Sequence, residues 1–192
     1  MQTDTHSLST KVSELYLSRA NLESFDSVTA LVRCFMGATE AFTRLMRLAL
    51  QFHQPKLNAK KKIALQEKVA AQLSHILADV GMAGSILSVD ETFFALDYLD
   101  QLAQELKGDS VSFSFDGINR LSGMMLEIFS GDVDLQTEGF NATLKALEEE
   151  GYNVGDELAE IAAIAFMLSE YFDLELSSVI SNISCFAQDY GT

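Results

Sequence analysis

The sequence predicts an all-α protein, a single compact bundle of about seven to eight helices around a central apolar helix near residues 156–172. Apolar residues recur at helical spacing through most of its length. Pro55 is the one proline in 192 residues, and the dominant residues (Ala, Leu, Ser, Glu, Phe, Met) suit helices. At 48% hydrophobic and 21% charged, the chain has enough apolar surface to offset the entropy of ordering itself, so one domain spanning residues 1–192 is expected.

Taken in order, Val12, Leu15, Tyr16 and Leu17 predict a short first helix ending near Asn21. Ser24 or Asp26 then caps a long second helix in which Val28, Leu31, Phe35, Phe42, Leu45, Met46 and Leu50 share helical spacing. Proline disfavours helix at the residue before it, so Gln54 to Asn58 reads as a loop, with Asn58 as the cap of the next helix. The third helix starts near Ala59, carries Ile63, Leu65, Val69, Leu73, Ile76, Leu77 and Val80, and is expected to stop at Gly81-Met82-Ala83-Gly84. Ser88 with Glu91 three residues on forms a capping-box pattern for a fourth helix that ends at Gly108.

Ser110 to Phe115 alternates polar and apolar with a period of two. A lone strand leaves its backbone groups unsatisfied, so an extended loop that packs Phe113 and Phe115 onto helices is expected there. Asp116 caps a fifth helix closed by Gly131, and Thr137 to Glu150 forms a sixth ended by Gly151. Asn153 or Asp156 opens a seventh that runs to about Phe172. From Leu158 to Leu168 this helix is apolar on every face apart from Glu160, the pattern of a helix surrounded by others. Its alanines 159, 162, 163 and 165 let neighbouring backbones come close. Asp173 is the expected cap of an eighth helix through Leu176, Val179, Ile180, Ile183 and Phe186.

Charge is distributed unevenly. Residues 1–85 hold ten Lys or Arg against seven Asp or Glu, while residues 86–192 hold three against twenty-one, so a near-neutral half of plus 3 precedes one of minus 18. Long-range fields of this kind steer association with partners. The acids gather most densely at Glu148, Glu149 and Glu150 and at Asp156, Glu157 and Glu160, the carboxylates flanking the sixth and seventh helices. These six are the expected partner-binding residues.

Other chemistries lack their residues. No Walker-type glycine loop is present, and no GxGxxG follows a strand. His6, His53 and His75 have no Glu-x-x-His or His-x-x-x-His partner, and Cys34 and Cys185 belong to no paired spacing, so buried thiols rather than zinc ligands are expected. His75 and Asp79 do lie four apart on one helix face, which predicts a surface or half-buried ion pair. Asp132-x-Asp134-x-Gln136 opens like a calcium loop, but Thr137 stands where glycine is required and Thr143 where a bidentate Glu is required. Asn141 and Asn182 head Asn-x-Ser/Thr triplets inside predicted helices and read as chance matches.

The basic cluster Lys56, Lys60, Lys61, Lys62 and Lys68 crowds a helix start, where positive charge opposes the dipole and invites a counter-ion. At minus 15 overall, repulsion from phosphates disfavours direct nucleic-acid binding. Met1 to Ala20 lacks the apolar centre of a signal peptide, and the longest apolar run, Ile161 to Leu168, is far short of the roughly 20 residues that span a bilayer. A cytoplasmic location without membrane contact is expected.

The stretch Asp156-Glu157-Leu158-Ala159-Glu160, followed by an apolar helix and Phe172-Asp173-Leu174-Glu175, resembles part of the all-α nucleotide pyrophosphohydrolases of the MazG type over about thirty residues. That resemblance implies a Mg²⁺ site using Glu157 and Glu160, with Glu127 or Glu148, in a pocket between the fifth and seventh helices. The family's ExxD reads Glu157-x-x-Glu160 here, and its EExxE has no match between Asp116 and Gly151.

These observations allow two roles from different classes. The first is a non-enzymatic interaction module, of inhibitor, immunity, chaperone or adaptor type, that binds a basic protein surface through its acidic half with no cofactor, catalytic residue or metal. The second is the Mg²⁺-dependent hydrolase. The oppositely charged halves also allow copies of the chain to recognise one another as a homo-oligomer.

Overall fold

The computed structural model describes residues 27–52, 54, 57–108 and 153–187, which form five α-helices and one 3₁₀ turn with no strand among them. They are α1 (Ser27–Phe52), α2 (Ala59–Ile86), the 3₁₀ turn Glu91–Phe94, α3 (Leu96–Gly108), α4 (Val154–Tyr171) and α5 (Leu176–Ala187). An all-α fold is therefore what these residues adopt. The expected first, fifth and sixth helices lie outside the described residues, as do the segment Ser110 to Phe115 and the caps Ser24 and Asp26. The count of seven to eight accordingly covers more chain than the five helices seen.

Local chemistry sets several boundaries where the sequence places them. Asn58 caps α2 by accepting a hydrogen bond from the Lys61 N–H at 2.9 Å. Asn153 caps α4, accepting from the N–H groups of Gly155 at 3.0 Å and Asp156 at 3.4 Å. Two acids, Asp156 and Glu157, lie in the first turn and complement the positive end of the helix dipole.

Three expected boundaries are corrected. The glycines at 81–84 do not stop α2, which continues to Ile86. All four residues are buried, and a Cβ on Gly84 would stand 2.6 Å from two ring carbons of Phe94, so that glycine admits an aromatic ring rather than ending a helix. Ser88 does not cap a helix either. It adopts φ 57° as the residue that terminates α2: the Val89 N–H reaches Gly84 O at 2.8 Å and the Ser88 N–H reaches Ser85 O at 3.1 Å. This is the paired bonding of a Schellman motif. Asp90 is the next cap, accepting from the Thr92 N–H at 2.9 Å to begin the 3₁₀ turn, and α3 starts only at Leu96.

The third correction repeats the second. Asp173 has φ 54° and closes α4, with Leu174 N–H bonding Ser169 O at 2.9 Å and Asp173 N–H bonding Glu170 O at 3.0 Å. Helix α5 begins beyond it, at Leu176. In both places a non-glycine residue takes the left-handed conformation that glycine adopts most easily.

Helices α1 and α2 lie against each other, α2 also packs on α4 and α5, and α4 on α3 and the 3₁₀ turn. One apolar core joins all of them. Every residue of α4 from Leu158 to Ser169 is buried except half-buried Glu160, as expected of an enclosed helix. The second half of α2 shares that central position: from Ile76 to Gly84 every residue is buried. Cys34 is part of this core as a thiol outside any disulfide, and the Cys185 side chain lies outside the described residues.

Polar contacts fasten the ends of the helices. The Ser74 hydroxyl, fully buried on α2, lies 2.7 Å from Ala70 O and 2.5 Å from Val179 O of α5. At the far end of α4, Gln66 of α2 donates to Phe172 O at 2.9 Å and to Asp173 O at 3.3 Å. Phe52 of α1 meets the buried Phe172 ring edge-on, with centroids 5.1 Å apart.

Candidate functional site

The 3₁₀ turn between α2 and α3 packs on α4 and sets α3 beside it. A Cβ on Gly155 would stand 3.1 Å from both the Phe93 ring and Val89 Cγ1, so the first turn of α4 lies close against that turn. Phe93 in turn meets the ring of Tyr98 edge-on, with centroids 6.0 Å apart. Tyr98, 36% exposed, thus projects from α3 beside the opening of α4. Its phenol is pushed above its ordinary value by desolvation first, and then by the negative fields of Asp156, Glu105 and Glu160. Three carboxylates from two helices therefore act on one exposed aromatic side chain.

Of the six residues singled out by sequence, Asp156 is exposed at the start of α4, and Glu157 and Glu160 are half-buried on its next turns. Asp156 and Glu160 are brought into one field with Glu105, a residue that sequence reasoning missed because it lies on a separate helix. Glu148, Glu149 and Glu150 lie outside the described residues. Glu127, the other ligand that the hydrolase resemblance implies, does too, along with one wall of the pocket expected between the fifth and seventh helices. Among the described residues no three His, Cys, Asp or Glu side chains come together as a metal-holding group.

Charge in this part of the molecule is almost all of one sign: residues 87–108 and 153–187 contain eleven Asp or Glu against one basic residue, Lys107 of α3. Lys62 of α2 reaches across to Asp173, Nζ to Oδ2 at 2.7 Å, where the basic start of α2 meets the end of α4.

A second cluster is the pair expected of His75 and Asp79 on one face of α2, and it lies deeper than a surface pair: His75 keeps 22% exposure, Asp79 is buried to 1%, and neither oxygen of Asp79 has a hydrogen-bond partner among the described residues. His75 Nε2 stands 3.3 Å from Oδ2, outside hydrogen-bonding alignment. Burial raises the Asp79 carboxyl from an ordinary 3.8 to about 8, which favours its neutral form. The carboxyl fits because α1 presents Gly37: a Cβ at that position would lie 2.5 Å from Asp79 Oδ2.

No helix among the described residues is long and apolar enough to cross a membrane. No known protein family matches the chain, and no curated protein or solved structure shows significant similarity to it.

Proposed function

We propose that this chain is a non-enzymatic interaction module of the cytoplasm that docks on a basic surface of a partner protein through the acidic face of α3 and α4. The observation that supports this reading is the convergence of Asp156, Glu160 and Glu105 on Tyr98. An exposed aromatic ring in the negative field of three carboxylates suits the guanidinium and ammonium groups of a basic partner, which gain both ion pairing and contact with the ring face. The predominantly negative charge of this region supplies a field that speeds encounter and makes it sensitive to salt. Glu148, Glu149 and Glu150 are further partner-binding residues in this reading, which fits a protein of inhibitor, immunity, chaperone or adaptor type.

Affinity capture with the full chain tests the proposal. Specific partners should be basic, should elute as ionic strength rises, and should be lost from a Glu105→Gln, Asp156→Asn, Glu160→Gln triple variant that keeps its helical content. Partners held equally at low and high salt, or equally by the triple variant, would overturn it.

A further inference from the structure

Asp79 is the most anomalous side chain in the described structure. A carboxyl group without hydrogen bonds is costly to bury, and an ionised one far more so. Yet this one sits 1% exposed at the contact between the two longest helices, pressed against the backbone of α1 at its Gly37 notch. A polar group of this kind weakens the contact that holds it, and how much it does so depends on whether it carries a proton.

We propose that Asp79 and Gly37 form a proton-controlled latch between α1 and α2: the neutral carboxyl lets the helices close, and the ionised carboxyl favours their separation. The charged and titratable surroundings leave the carboxyl as the sensing group. On α2 itself His75 stands 3.3 Å away and is 22% exposed. From α1 comes the buried Cys34, one turn before Gly37, while Arg33 and Glu40 on that helix are exposed. The described side chains of α5 from Leu176 to Ile183 are uncharged, and the buried stretch of α4 that packs on α2 carries half-buried Glu160 alone.

Separation of α1 returns Asp79 to water, where it ionises near its ordinary value of 3.8, whereas in the closed state it holds its proton to about 8. Between those limits the open state binds one proton fewer, so its population rises about tenfold per pH unit. The interface is tight in acid and loosens toward neutrality.

Amide hydrogen exchange of the full chain, corrected for the intrinsic pH dependence of exchange, tests the latch. Protection of α1 amides from residue 34 to 49 should fall about 100-fold from pH 5 to pH 7, tenfold for each unit, while α3 amides change far less. In Asp79→Asn the fall should vanish, and in His75→Gln it should remain. Should Asp79→Asn fold poorly, Asp79→Ser is read in the same way. Equal α1 protection at the two pH values would overturn the proposal, as would a fall that persists without the carboxyl or one that α3 shares in full. A slope abolished by His75→Gln alone would assign the sensing to the imidazole and overturn it as well.

Discussion

Lys62 Nζ lies 2.7 Å from Asp173 Oδ2 and 5.6 Å from the centroid of the Phe52 ring, so one lysine of α2 touches both the end of α4 and the end of α1. The ion pair is exposed on both sides, and such pairs contribute about 0–1 kcal/mol. Gln66, half-buried beside it, satisfies two carbonyls at the close of α4. Lys62→Met should therefore change stability by less than about 1 kcal/mol, whereas Gln66→Ala should cost about 1–2 kcal/mol by leaving those carbonyls without their donor. Urea denaturation of the two variants checks the order.

The Asp79 carboxyl makes stability depend on pH with a definite sign. Well below pH 4 it is protonated in both folded and unfolded chains and adds no pH-dependent cost. As pH rises toward its folded value of about 8, the unfolded chain ionises and the folded one does not, so stability is lost across that window and levels off above it. Asp79→Asn removes the ionisation and should raise stability near pH 7 by about 3–4 kcal/mol, with little effect at pH 4. Unfolding curves at both pH values measure the difference.

Gly37→Ala gains helix propensity worth about 1 kcal/mol but places a methyl 2.5 Å from a buried carboxyl oxygen. Overpacking of that kind costs about 1–3 kcal/mol, and the atom that must give way belongs to a carboxyl buried to 1% exposure. The expected result is net destabilisation, largely restored in the Gly37→Ala, Asp79→Ala double variant. A double-mutant cycle should therefore give a coupling energy clearly different from zero.

Ser88→Gly should stabilise the protein by about 1 kcal/mol, since Ser88 holds φ 57° at the close of α2 and glycine takes that conformation without strain. Asp173→Gly should gain less, because the contact with Lys62 goes with it. Thermal melts distinguish the two.

The ring signals of Tyr98 report the acidic cluster directly. Its ionisation should move down toward the ordinary phenol range when Asp156, Glu105 and Glu160 are neutralised together, and should remain somewhat high because desolvation, the leading cause, persists. An NMR pH titration of the tyrosine ring carbons makes the measurement.

Much of the described architecture was legible as apolar spacing. The enclosed character of α4 stems from Leu158 to Leu168 being apolar on every face but that of Glu160, and Asn58 and Asn153 announce their helices by ordinary capping chemistry. What misled was the double meaning of small and polar residues. Gly84 reads as a stop until the Phe94 ring is seen filling its place, and Ser88 and Asp173 read as starts although they end the helices before them. The second half of α2 is as enclosed as α4, but Ser74, Asp79 and two glycines hide its burial from any hydrophobic pattern. The site was legible in part: the acids of α4 stand together in sequence, while Glu105 and Tyr98 join them only through the packing of α3 on α4.

Helix α4 gives so much of its girth to alanine at 159, 162, 163 and 165, each of them buried, that its peptide groups themselves form the wall other helices rest on. A larger side chain at any of the four would have to be fitted into a closed interior, at a cost of about 1–3 kcal/mol. Substitutions on the solvent-facing positions of α1 and α3 meet no such constraint.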